Sequence, residues 1–88
     1  MTSVSPTIHV KVLFFGRLRE LVGIAEETAE VSDGATLAEL FQQYANRLPA
    51  LAAFRSSLVA SINQEFAAWD ARIHRADEIA FLPPVSGG

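Results

Sequence analysis

The chain has 88 residues, 50% of them hydrophobic and 19% charged, with a formal net charge of −3. That is enough for one small domain with a single core, but not for a roomy buried active site, and the composition is that of a folded globule rather than a disordered segment. There is no cysteine and only one lysine, Lys11; this excludes disulfides, a thiolate nucleophile and cysteine-held metals, and leaves no basic stripe to neutralise nucleic-acid phosphates. No apolar run approaches the ~20 residues of a membrane span, and the first residues lack the charged-then-apolar order of a secretion signal, so a soluble cytoplasmic protein is expected.

In chain order, residues 8–15 alternate Ile8, Val10, Val12 and Phe14 against His9, Lys11, Leu13 and Phe15, the period of a strand that is polar-backed at first and apolar on both faces near its end. Gly16 and Gly23 bracket a turn or two of helix with Leu18, Leu21 and Val22 on one side. Residues 26–31 read as a weaker, exposed strand broken by Ser32-Asp33-Gly34. Thr36-Leu37-Ala38-Glu39 is a capping box, and Leu37, Leu40, Phe41, Tyr44 and Leu48 follow at helical spacing until Pro49 ends the run. After a stretch of small apolar residues, 58–62 alternate as a strand, Asn63-Gln64-Glu65 turns the chain, 66–69 form a short extended piece, and 70–77 are a polar connection. The last strand, 78–82, leads straight into Pro83-Pro84. One long helix across a mixed sheet is an α+β arrangement that buries one sheet face and leaves the other partly open.

The sequence stops at Pro83-Pro84-Val85-Ser86-Gly87-Gly88. Diproline favours an extended path, and six residues reach roughly 20 Å at about 3.3 Å each. Glycine has no Cβ, so a paired-glycine end can thread a narrow tunnel. Two readings stand side by side here: a frayed terminus, as most domains have, or a carboxylate presented on an arm for another enzyme to modify.

Three segments carry a resemblance that separates them. Val12-Leu13-Phe14-Phe15 running into Arg19-Glu20-Leu21-Val22-Gly23, then Ile62-Asn63-Gln64, then Asp77-Glu78-Ile79-Ala80-Phe81-Leu82-Pro83-Pro84-Val85-Ser86-Gly87-Gly88 together resemble the small subunit of molybdopterin synthase, the MoaD family of sulfur carriers. The resemblance covers nearly all of the chain from about Ile8 onward. It implies a β-grasp, or ubiquitin-like, fold over 8–82, with 1–7 as an extension and 83–88 as a tail. One departure is Ala76, where relatives usually have glycine before the Asp-Glu pair.

The resemblance implies a carrier cycle on Gly88. An E1-like, ATP-dependent adenylyltransferase would convert its carboxylate to an acyl-adenylate, since a free carboxylate is too poor an electrophile. A sulfur donor, typically a persulfide, would displace AMP and leave a thiocarboxylate (1-thioglycine). Docked on the large catalytic subunit in a heterotetramer, the arm would deliver sulfur to cyclic pyranopterin monophosphate to build the dithiolene of molybdopterin. The chain itself would bind no cofactor or metal and catalyse nothing; reach and docking are its share. Pro83, Pro84, Val85, Ser86 and Gly87 would enter the partner, with Leu82 and Arg19 at the interface. A thiamine-type sulfur carrier or a ubiquitin-like modifier joined to lysines are the alternatives within the same chemistry. A plain interaction domain that offers a strand edge is a third.

The remaining polar residues give no rival site. His9 and His74 have no neighbours at metal-ligand spacing, and Ser86 has no base beside it. Asp70, Asp77 and Glu78 read as turn and edge-strand residues, and Trp69 as a core or rim residue.

Overall fold

Alternation decides the first strand. In β1 (Thr7–Phe14) the side chains of Ile8, Val10, Val12 and Phe14 are buried, while Thr7, His9 and Lys11 face out. The computed structural model describes residues 6–83. After β1 come the short helix α1 (Gly16–Val22), β2 (Glu26–Ser32), the main helix α2 (Leu37–Arg47), a 3-10 segment (Pro49–Ser57), β3 (Val59–Ile62), β4 (Glu65–Ala67) and β5 (Glu78–Leu82). The sheet order is β2-β1-β5-β3-β4. β5 runs parallel to β1, from Lys11↔Glu78 to Phe14↔Phe81, and antiparallel to β3, from Val59↔Leu82 to Ile62↔Ile79. The last strand in sequence is thus the central strand of the sheet, and the expected mixed α+β arrangement is what is found.

The capping box of α2 forms as read: the Thr36 hydroxyl accepts from the Glu39 amide at 3.2 Å, and the Thr36 amide donates to the Glu39 carboxylate at 2.8 Å. Leu37, Leu40, Phe41 and Tyr44 then lie on the buried face and meet Val12, Phe14, Ile79 and Phe81 from the sheet. Aromatic rings join the layers edge to face, Phe14 with Tyr44 at 4.9 Å and Phe41 with Phe81 at 5.5 Å between centroids. Each such fully buried side chain is worth roughly 1.5–3 kcal/mol of burial, which is why one face of one helix suffices to hold the sheet. Trp69 is half-buried at the rim, stacked on Phe81 at 6.0 Å and covered by the Arg55 guanidinium at 3.8 Å.

Several expectations move. The sheet takes in Thr7, and the Asp33 amide donates to the Pro6 carbonyl at 3.0 Å, so the expected extension 1–7 loses its last two residues to the fold; 1–5 lie outside the described residues. The stretch 49–57 is a 3-10 helix begun by Pro49. The expected piece 66–69 pairs instead as Glu65–Ala67, because Asn63 and Gln64, at φ of 52° and 71°, make the two-residue hairpin turn by themselves.

Candidate functional site

β5 decides where the tail begins. Ile79 and Phe81 are fully buried on the helix side, and neighbours on both edges hold the strand. Its start is braced by distant Asn63 and by nearby His74. The Asp77 carboxylate accepts from the Asn63 side-chain amide at 2.9 Å and from the His74 backbone amide at 2.7 Å, and the Asn63 side-chain oxygen accepts from the Glu78 amide at 2.9 Å. Asp77 is buried just after the turn at Arg75–Ala76, and Glu78 opens the central strand and not an edge strand, which corrects the edge-strand reading of Glu78. An aspartate just before a strand looks like turn chemistry in a sequence, and only the partner Asn63, fourteen residues earlier, turns it into a brace.

The far end of β5 is where pairing stops. The ladder with β1 ends at Phe14↔Phe81 and that with β3 at Val59↔Leu82. Pro83 has no N–H and cannot extend either ladder. Beside it β1 turns away into α1 at Gly16, which has φ +57°. A Cβ on Gly16 would lie 2.8 Å from Pro83 Cγ.

The sheet face opposite α2 divides in two. Towards β2 it is charged: Lys11 meets Glu26 at 3.6 Å, and His9 meets Glu30 at 3.7 Å. Towards β5, β3 and β4 it is apolar, with a shallow hollow lined by Leu13, Phe15, Phe66, Ala80 and Leu82 together with Ser61, Gln64 and Glu78. Phe66 is 80% exposed and Phe15 44%. Apolar rings left in water around one spot are the mark of an interaction surface, and here the spot holds Leu82, the last residue of the central strand.

Of the expected site residues, Leu82 lies half-buried in this hollow and Pro83 half-buried beside Gly16. Arg19 is exposed on α1 and is not among the residues lining the hollow. Pro84, Val85, Ser86, Gly87 and Gly88 lie outside the described residues. Sequence reading missed Phe66 and Phe15 as surface rings; Phe15 follows the buried Phe14 in the alternation of β1, and Phe66 pairs with Ser61. Among the described residues no three His, Asp or Glu side chains cluster as metal ligands, and no helix is long and apolar enough to cross a membrane.

Comparison with known proteins settles the lineage. The sequence matches the ThiS family over residues 12–88. The chain belongs to that family. Within it, the chain is 41% identical to the molybdopterin synthase sulfur carrier subunit of Escherichia coli over 81 residues, covering 90% of this chain and 99% of the relative. It is 34% identical to the protein of the same name from Arabidopsis thaliana, covering 93% and 85%. Among solved structures, a putative molybdopterin converting factor subunit 1 from Pyrococcus furiosus superposes with a TM-score of 0.79 at 26% identity, covering 89% and 99%. The β-grasp expectation and the resemblance to the molybdopterin-type carriers are both upheld.

Proposed function

We propose that this ThiS-family chain is the sulfur carrier subunit of a molybdopterin synthase. The observation that carries the reading is the junction at Leu82-Pro83: the central strand, buried at Ile79, Ala80 and Phe81, ends in an apolar surface hollow, and the sequence Pro-Pro-Val-Ser-Gly-Gly follows at that point. The names and near-complete coverage of the relatives support it.

In this reading the carboxylate of Gly88 attacks the α-phosphorus of ATP on an E1-like enzyme, giving an acyl-adenylate and pyrophosphate. The outer sulfur of a persulfide-type donor displaces AMP to give an acyl disulfide. A second thiol of the donor system attacks the donor's own sulfur to form a disulfide and release the thiocarboxylate, and that group is a nucleophile at neutral pH without any cysteine in the chain. Sulfur then passes to the pterin precursor on a large catalytic subunit, and the chain returns as a carboxylate. The chain contributes an anchored root, the reach of 83–88 and the apolar hollow as docking surface. The partners contribute catalysis, and the setting is the cytoplasm.

Intact mass with and without iodoacetamide tests this, on protein co-produced with an E1-like enzyme and a sulfur source. A chain with no cysteine offers the reagent no ordinary thiol, so a label on the C-terminal fragment ending in Gly88 identifies a thiocarboxylate. No label, with the activating enzyme shown to work, refutes the reading. An alanine appended after Gly88 abolishes labelling and leaves the fold intact. A second reading draws on the similarity to the small archaeal modifier protein 1 of Haloferax volcanii, with a TM-score of 0.78 at 25% identity. There the activated carboxylate would join a lysine, and isopeptide-linked conjugates of higher mass would replace the labelled fragment.

A further inference from the structure

The two edges of the sheet are unequal. β4 closes one of them with three residues, Glu65–Ala67. β2 forms the other with seven, Glu26–Ser32, a run of about 24 Å at roughly 3.4 Å per residue. Which of its backbone groups are free follows from the register. The Phe14 amide donates to the Ala25 carbonyl at 2.9 Å, and the Asp33 amide donates to the Pro6 carbonyl at 3.0 Å. Bonded and non-bonded pairs alternate along an antiparallel ladder, so Val12↔Glu27, Val10↔Ala29 and Ile8↔Val31 exchange the hydrogen bonds. The residues opposite Thr28 and Glu30 turn their backbone the other way: the Lys11 amide donates to the Asp77 carbonyl, and the His9 carbonyl accepts from the Ala76 amide. The N–H and C=O groups of Glu26, Thr28 and Glu30 therefore face outward, and none has a hydrogen-bond partner among the described residues.

An outward edge of this kind is a template for one more strand, and its side chains select which. Glu26, Thr28 and Glu30 are exposed on the open sheet face. Lys11 stands 3.6 Å from Glu26, and His9 and the Thr7 hydroxyl stand 3.7 and 3.1 Å from Glu30, yet the two glutamate side chains remain 57% and 60% exposed. Each carboxylate has room for a further cation. On the helix side Ala29 is half-buried against the core and offers an apolar contact. A second copy of this chain would bring its own glutamates to the same edge, and like charges across a ladder are destabilising.

We propose that the free edge of β2 is a docking site for an extended segment of a partner protein, one with two lysines or arginines four residues apart and apolar residues between them. Added antiparallel, the segment sets its cations beside Glu30 and Glu26 and an apolar side chain beside Ala29. Its backbone takes up the outward groups of Glu26, Thr28 and Glu30. β1 lies between this edge and β5, so the site stands whether or not the carrier function proposed above holds.

The test titrates the full isotope-labelled chain by NMR with the blocked peptide Lys-Val-Thr-Val-Lys. Saturable shifts are expected at the amides of Glu26, Thr28 and Glu30. Methylating the peptide's threonine nitrogen, which points at β2 in this register, is expected to weaken binding at least about tenfold. Methylating the nitrogen of its first valine, which points away, is expected to leave binding nearly unchanged. Glu26→Gln combined with Glu30→Gln is expected to weaken binding about five- to tenfold, and the peptide Glu-Val-Thr-Val-Glu is expected to give no shifts. Thr28→Pro removes an outward N–H but no ladder bond and is expected to abolish binding in a folded chain; if that variant does not fold, the methylated peptides decide. The proposal is overturned by the absence of saturable shifts, by shifts centred on Phe15 and Phe66, or by equal binding of the acidic or the threonine-methylated peptide. Concentration-dependent shifts at Glu26, Thr28 and Glu30 without peptide would make a second copy the occupant, and overturn it as well.

Discussion

Among the described residues, three other than glycine, Asn63, Gln64 and Ala76, hold positive φ, and their side chains separate what is adapted from what is strained. Asn63 is suited to the left-handed region and adds the Asp77 brace. Ala76, at φ +66°, has no polar atom to compensate, yet its amide donates to the His9 carbonyl at 3.0 Å, so the surrounding hydrogen bonds impose the angle. Ala76→Gly is expected to stabilise the fold by about 0.5–1 kcal/mol, the left-handed penalty removed less the extra unfolded-state entropy of glycine; a denaturant midpoint that falls instead would show the angle to be unstrained. Tyr44 makes the second case. Its hydroxyl is buried without a partner in hydrogen-bonding geometry. Burial first, and then the neighbouring Glu27 carboxylate, push the phenol well above its ordinary pKa of 10.0, against the opposing Arg47. An unfolded phenol releases its proton near 10 while the folded one keeps it, so the native state has its full stability below that pH and loses it as pH rises above. Tyr44→Phe is expected to raise stability by about 1 kcal/mol and to flatten the alkaline part of the curve. A loss of stability would show that Glu27 accepts a bond from the phenol.

Among the elements, α2 depends most on local signals, and its N-terminus offers a clean test. Thr36→Ala removes the hydroxyl that accepts from the Glu39 amide and is expected to cost about 1 kcal/mol, measured as a shift in unfolding midpoint without a change in slope. What could be read from the sequence follows the same division between local and tertiary causes. β1, α2 and β5 were legible because period and caps are written in neighbouring residues. The 3-10 segment was not, because Pro49 and the small residues after it carry no sustained apolar period and only Leu51 is buried. Of the expected site residues, Leu82 was legible, and it lies in the hollow; 84–88 lie outside the described residues. Arg19 was not confirmed as part of the hollow. The Asp77–Asn63 brace and the Gly16–Pro83 contact could not be read, since both join segments that meet only once β5 has been inserted between β1 and β3.

On the scale of the molecule, the open sheet face sets the terms of docking. Its two halves predict different dependences. On the half with Lys11, Glu26, His9 and Glu30, the Lys11–Glu26 contact is a solvent-exposed ion pair, worth ~0–1 kcal/mol and weakened by salt, and His9 lies beside Glu30. Contacts on the other half are rings already facing water, whose burial by a partner is favourable and insensitive to salt. Phe66 stands at 80% exposure opposite Ser61 on β3, so the fold does not need its ring. Phe66→Ser is therefore expected to leave stability within about 0.5 kcal/mol. If the tail delivers sulfur while the hollow holds the large subunit, the same change weakens the complex by at least about 2 kcal/mol, roughly thirtyfold in Kd, the scale of a buried aromatic anchor. Titration of the isolated subunits at two salt concentrations checks both halves at once. A partner seated on the apolar half gives the large loss for Phe66→Ser at either salt. A partner seated on the charged half gives little loss for Phe66→Ser and a steep decline in affinity as salt rises, and would place the docking surface beside β2 rather than around the root of the tail.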